Sequence, residues 1–387
     1  GAVAAAVVAE SVRQSQETPV LQLPDVMYMV DASLMPTLAT LLNASLALAL
    51  WFGRSRHPKA IAALCAAYLV VPYTITLSST ATGAAGGALF MWIGVWKALD
   101  VLGGTHAPAV TSSPWLLLLY ITCPIEYRCD PHERSRPAAA VEGDVRAHAF
   151  GILQTYVGIS LCLSLRWVGN LSLSSVGTGA MLSPASAEAL VLYVNIWLVY
   201  HWLRMMALSC GLALTIIGLS PIETFRFPLT AATSPSDFWG ERWNLLVHGL
   251  FRRTIFKPLR RAGCPAFLGS LACFAVSGAF HEYAFLAPTA ARKAAGWCGL
   301  FFVAQTGVIT VQVVLRKALG GTPRLLAADT LSSAMLCAAL TKAMLIPMAP
   351  WFMRPLADGG LLDEWDRSAL WLRFGGTVGV GVALGAQ

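Results

Sequence analysis

At 387 residues, with 56% hydrophobic and 12% charged residues, the chain carries about half the charge of an ordinary soluble domain. That composition excludes a water-soluble fold. The net charge of +7 comes from short basic clusters between apolar runs, a pattern that suits membrane surfaces and anionic cofactors and argues against nucleic acid. Nine cysteines are scattered singly, with no C-x-x-C pair and no His/Cys set at metal-ligand spacing, so neither a disulfide framework nor a metal site is expected.

In chain order, residues 1–25 begin Gly-Ala-Val and turn polar before Pro24; they read as a tail outside the membrane, leaving 26–387 as a single membrane-embedded domain. A spanning helix takes roughly 20 mostly apolar residues. Runs of that kind predict spans at Leu34–Phe52, at two places within Ala60–Trp96 about a hinge between Pro72 and Gly87, and at Val101–Ile125. Further spans are predicted at Ala147–Leu165, Ala189–Leu203 with Met205–Ile222, Ala262–Phe280, Ala294–Leu315, Leu331–Met353 and Ala369–Ala386. The expected fold class is all-α, a polytopic transmembrane helix bundle of about 8–10 spans. Counting spans puts the basic clusters Arg54–Lys59 and Arg252–Arg261 on opposite faces unless an apolar run is re-entrant, so the bias of basic residues toward one side leaves the topology open.

Three segments break the hydrophobic rhythm. Glu126–Arg146 reads as a solvated linker and Asn170–Pro184 as a flexible Ser/Gly loop. The third, Pro221–Pro265, has a Pro-rich start, aromatic residues and a dense basic end. Ser234 suits an N-cap, Pro235 the first helical position and Asp237 the N3 position of a capping box. Phe238, Trp239, Trp243, Leu246 and Leu250 then recur near helical spacing up to Arg252 and Arg253. This predicts an amphipathic helix lying in the interface.

Ionisable residues inside apolar runs are rare, and each invites a functional reading. Lys97 and Asp100, three apart, are expected to pair; Arg166 and Arg204 sit near helix ends and can snorkel; Asp31 and Lys342 receive no role. His281 stands apart, following the uncharged run Ala262–Phe280 within Ser277-Gly278-Ala279-Phe280-His281-Glu282. Imidazole suits proton transfer near neutral pH. Ser277, one turn earlier, is placed to hold its other ring nitrogen; Glu282 is so placed only if the helix bends.

The block Phe238-Trp239-Gly240-Glu241-Arg242-Trp243-Asn244, followed by His281 within Ser-Gly-Ala-Phe-His-Glu, resembles the signature of the membrane-bound O-acyltransferases. It is most similar to the wax synthase branch. The likeness extends upstream through Pro228–Ser234 and weakly to Leu119–Pro124, making 221–288 the motif region, while Glu241 stands where the family carries its first arginine.

This resemblance implies a helix bundle around a tunnel, with acyl-CoA as co-substrate, no permanently bound cofactor, and a lipid alcohol as acceptor. His281 becomes the general base and Asn244 either an oxyanion donor or a group that orients the acyl donor. Trp239 and Trp243 form a packing seam or touch substrate. Arg242, Arg252, Arg253 and Lys257 meet coenzyme A phosphates or face solvent and lipid. Ser277 and Glu282 complete the substrate-binding set. The resemblance also implies an endoplasmic reticulum location, with another organelle left open. A non-catalytic scaffold, a transporter, a homo-oligomer and a larger membrane complex stay open as alternatives; the transporter would require intramembrane charges along one path or inverted repeats, and no repeat is evident.

Overall fold

The structure, a computed structural model, describes residues 21–22, 26–75, 80–130, 132–133, 135–141, 143–174, 182–286, 295–320, 331–368 and 371–372. Its helices are α1 (Val26–Gly53), α2 (Pro58–Tyr68), α3 (Ala81–Leu102), α4 (Pro114–Thr122), α5 (Asp144–Ser174) and α6 (Pro184–Ile216). They continue as α7 (Leu245–Phe251), α8 (Ala266–Leu286), α9 (Trp297–Ala318), α10 (Leu331–Leu345), α11 (Ala349–Asp358) and α12 (Leu361–Ser368), with single turns between some of them. Two strands of two residues, Leu21–Gln22 and Trp371–Leu372, pair antiparallel.

Six helical stretches are long and apolar enough to cross a membrane: Val30–Gly53, Ala81–Leu102, Asp144–Asn170, Pro184–Ile216, Trp297–Ala318 and Ser332–Asp358. Their outward faces carry exposed Leu41, Leu48 and Phe52 on α1, Phe150, Leu153 and Val157 on α5, and Val311 and Val314 on α9. Buried inside are the polar Asn43, Thr155, Ser160, Asn195 and Gln305. Apolar residues outside and polar ones inside are what a lipid solvent selects, because polar groups find partners only within the bundle. The molecule is an integral membrane protein.

The expected spans need three adjustments. Val101–Ile125 does not form one: α3 ends at Leu102, and α4 has only 9 residues. Ala189–Leu203 and Met205–Ile222 are one 33-residue helix, α6. α8 has 21 residues but carries His281 and Glu282 near its end, and α2 continues through the turn Val71–Thr74 as a broken pass. The expected span Ala369–Ala386 and the N-terminal tail lie outside the described residues, apart from the two strands.

Close backbone approach sets the helix pairs. α1 and α3 run parallel, with Thr80 N–H donating to Asp31 Oδ2 at 3.1 Å near their starts and Asn43 Nδ2 to the Phe90 carbonyl at 2.9 Å further along. A Cβ on Gly87 would lie 2.8 Å from Met35 Cβ, so only glycine permits this spacing. α5 and α6 are antiparallel, pairing Gly151 with Leu208, Gly158 with His201 and Gly169 with Val191.

Buried charges tie these helices to the motif region, and they depart from the expected pairings. Lys97 and Asp100 do not pair with each other. Lys97 Nζ donates to the carbonyls of Cys123 (2.8 Å) and Ile125 (3.3 Å) and lies 4.9 Å from the Tyr120 ring centroid. Asp100 accepts from Tyr120 Oη at 2.6 Å and from Arg253, whose Nη2 also reaches Glu126 at 2.8 Å. Burial works against the Arg253 charge, but Glu126, Tyr120 and Asp100 hold its proton more tightly than usual. Arg166 pairs with Asp363, and Arg204 donates to Thr155 Oγ1 at 3.0 Å; neither needs to snorkel.

Because Asp100 at the end of α3 is bonded to Arg253, and α1 runs parallel to α3, the clusters Arg54–Lys59 and Arg252–Arg261 lie at the same face.

Candidate active site

The motif region opens as its residue types demand. Ser234 Oγ accepts from Asp237 N–H at 3.1 Å, while Asp237 Oδ2 accepts from Thr233 N–H at 2.9 Å, a reciprocal cap one residue wider than the usual box. The expected continuous amphipathic helix does not follow. One turn, Pro235–Asp237, widens into a π-helical turn, Phe238–Arg242, closed by Trp243 N–H on the Phe238 carbonyl at 2.8 Å. Trp243 is then extended and Asn244 is left-handed (φ 45°, ψ 60°) before α7 begins.

Asparagine is among the few side chains that tolerate that backbone, because its short amide bonds locally. Here Asn244 Oδ1 caps α7 by accepting from Val247 N–H at 3.4 Å. The break is stitched on both sides: Arg226 N–H donates to the Arg242 carbonyl (3.0 Å) and Leu245 N–H to the Thr224 carbonyl (2.9 Å). A second π-helical turn, Arg252–Phe256, follows α7. Wide turns of this type concentrate at functional sites.

α8 presents His281 beside α9. Gly278 and Gly299 meet so closely that a Cβ on Gly278 would fall 2.9 Å from Gly299 Cα. That approach lays the Phe302 ring over His281, centroids 4.4 Å apart and nearly parallel; Phe280, Phe352 and Phe285 complete an aromatic surround at 4.9, 5.4 and 5.7 Å. His281 Nδ1 lies 2.7 Å from the Ser277 carbonyl. A carbonyl only accepts, so Nδ1 carries the proton and Nε2 keeps its lone pair. The contact to Ser277 runs through its backbone oxygen. Glu282 turns the other way, accepting from Gly299 N–H at 2.8 Å in the first turn of α9.

Asn244 and His281 line one cavity of about 540 Å³, with Trp239, Trp243, Ser277, His248 and Arg252. Its wall is built by α3, α6, α8, α9, α10 and α11 together with the stretch 224–256, and is mostly apolar. Trp239 Nε1 donates to Gln305 Oε1 at 3.2 Å, and its ring packs on Phe274, Phe301 and Phe302. Trp243 stacks on Phe238. Both tryptophans are thus a packing seam and a cavity wall.

The four basic candidates separate. Arg253 is held in the buried cluster at Asp100 and Glu126, and Arg242 is tied to Asp237 Oδ2 at 2.7 Å and the Arg226 carbonyl. Neither lines the cavity. Arg252 does, and is exposed; Lys257 is exposed nearby. Glu241 lies off the cavity but within electrostatic reach of His248, whose imidazole is held below its usual range first by burial, then by Arg252, with Glu241 opposing.

Sequence reasoning passed over Gln305, Phe302 and Phe352, and singled out Lys342 without giving it a role. Gln305, a lone amide in the apolar run Ala294–Leu315, was the available signal for the first. Among the described residues no group of His, Cys, Asp or Glu is arranged to hold a metal ion.

A bundle of membrane-crossing helices encloses a mostly apolar cavity with His281 and His248 in its wall, a space shaped for an apolar molecule beside an imidazole. Residues 223–304 match the family described as the membrane bound O-acyl transferase family. The chain is similar to the probable long-chain-alcohol O-fatty-acyltransferase 3 of Arabidopsis thaliana, 34% identical over 146 residues, 36% of this chain and 41% of that protein. It is similar also to the long-chain-alcohol O-fatty-acyltransferase of Simmondsia chinensis, 36% identical over 132 residues (31% and 36% of the two chains). With the acyl-CoA–sterol O-acyltransferase 1 of Arabidopsis thaliana it shares 27% over 138 residues, 33% and 39%. The match and these relatives make the stretch around Asn244 and His281 similar to the wax synthase-like proteins of the membrane-bound O-acyltransferase superfamily. The chain aligns with less than half the length of each of these relatives.

Proposed function

We propose that this chain is an O-acyltransferase that moves a fatty acyl group from acyl-CoA to the hydroxyl of a lipid alcohol inside the bilayer, a long-chain alcohol and hence a wax ester first among the acceptors. The observation that carries the reading is His281, with Nδ1 held by the Ser277 carbonyl and its ring on the wall of a cavity shared with Asn244. An alcohol is a poor nucleophile until its proton is removed. In this mechanism His281 Nε2 takes that proton as the oxygen attacks the thioester carbonyl. The Asn244 side-chain amide donates to the oxyanion, collapse expels the coenzyme A thiolate, and the imidazolium returns the proton to sulfur.

The aromatic surround excludes water that would otherwise hydrolyse the thioester. Arg252 and Lys257 remain as the exposed cations for the donor's phosphates, at the basic face. An open cavity at His281 supports this reading over a non-catalytic scaffold. The endoplasmic reticulum is the membrane the resemblance implies, to be tested by localising the tagged full chain.

The test is transfer of labelled palmitoyl-CoA to a panel of long-chain alcohols and sterols by the purified chain in lipid, beside His281→Ala. Ester formed by the parent and lost in the variant is the expected result. No ester from folded parent protein with any acceptor overturns the proposal.

A further inference from the structure

The cavity is charged in one sense only. Its described lining contains no aspartate or glutamate, whereas Arg252 and Lys342 bring two cations. Arg252 is exposed at the basic face, where water is available to it. Lys342 is half-buried in the last turn of α10, on the order of 15 Å along the helix from Leu331 and inside the membrane-crossing stretch Ser332–Asp358.

Other cations set deep in the helices are matched by the protein itself. Lys97 has two carbonyls, Arg166 has Asp363, Arg204 has Thr155, and Arg253 has Asp100 and Glu126. Lys342 makes no hydrogen bond or ion pair with any described residue. An ammonium at an apolar wall is costly when it stands alone, so its counter-ion must come from what the cavity binds. Neither a neutral alcohol nor a thioester supplies one. A diphosphate is too polar for walls such as Ala338, Leu345, Ile346 and Phe352, and it meets Arg252 and Lys257 at the face. What remains is a small anion on a long apolar chain.

We infer that the cavity carries a binding site for a long-chain carboxylate, with Lys342 as its counter-ion and the chain along the apolar wall. The site goes beyond the proposed transfer and does not depend on it. Its occupant is a free fatty acid or an acceptor that bears an acid group at its far end.

The test is equilibrium binding of labelled palmitate and hexadecanol to the full chain in neutral lipid at pH 8, with Lys342→Gln and Lys342→Arg beside the parent. Palmitate affinity is expected to fall about tenfold or more in Lys342→Gln and to persist in Lys342→Arg, with hexadecanol binding alike in all three. Methyl palmitate, which lacks the charge, gives a check that needs no variant: on the parent it must compete at least about tenfold less well than palmitate. Equal palmitate affinity in Lys342→Gln, or equal competition by the methyl ester, overturns the inference. Transfer onto 16-hydroxyhexadecanoate marks an acidic acceptor as the occupant, and palmitate that only competes with palmitoyl-CoA marks the free acid. These measurements read binding, so loss of the carboxylate site and failure of the acyl-transfer reading are separable.

Discussion

Two regions of this molecule hold polar groups deep among apolar helices, and they treat them in opposite ways. Around Arg253, the charges of Asp100, Glu126 and Lys97 and the hydroxyl of Tyr120 are all partnered, across α3, α4 and the turn after α7. Around His281, one ring nitrogen is fixed to a backbone carbonyl, while the imidazole sits on the wall of a cavity among phenylalanines. A fully matched cluster holds helices in register and has nothing left to offer a ligand. A site whose bonding capacity is left partly open is less stable as structure and is where chemistry can occur.

The sharpest way to break this contrast is His281→Ala. Loss of a general base is expected to cut acyl transfer by about a thousandfold or more, with only a modest fall in the thermal midpoint of the purified protein, since the bond to Ser277 and the ring contacts with the surrounding phenylalanines are lost but no buried charge is stranded. Arg253→Met should do the reverse. It strands two buried carboxylates, which destabilises by about 3–5 kcal/mol, read as a large fall in thermal midpoint; a variant that melts with the parent would show that the cluster holds little together.

Asn244→Gly sharpens the boundary between the regions. Glycine adopts the left-handed backbone freely and costs a cap about a few tenths of a kcal/mol, so the fold should survive while transfer drops about a hundredfold for want of the amide. Full activity in Asn244→Gly would assign Asn244 to the turn alone. The smallest effect is expected for Gly278→Ala. The added methyl must push α8 from α9 at Gly299, at about 1–3 kcal/mol, and crosslinking rates between cysteines engineered on the two helices would report the change in spacing.

Much of the architecture was legible in the chain because membrane helices are specified locally: length, hydropathy and Ser234-Pro235 as a start signal are short-range properties. His281 and Asn244 were equally legible, the one as an ionisable residue after an uncharged run, the other through the motif it closes. The continuous helix through Trp239 and Leu250 was misjudged because periodicity does not report a π-helical turn or the left-handed residue that ends it. Val101–Ile125 failed as a span because its residues after α4 accept from Lys97 and stay at the basic face.

By itself, then, the sequence determined that this is an all-α membrane protein, roughly where its helices lie, and which histidine and asparagine carry its motif. Tertiary structure alone decided which cations are spent and which are free. Arg253 and Arg252 are neighbours in the chain, yet one is locked to Asp100 and the other lines the cavity. Among the described residues Lys342 has no polar partner, whereas Lys97 finds two carbonyls and Arg166 and Arg253 find carboxylates. The physical reason is that in lipid a charge is satisfied only by a partner brought into contact through folding, and those partners lie dozens to more than a hundred residues away along the chain.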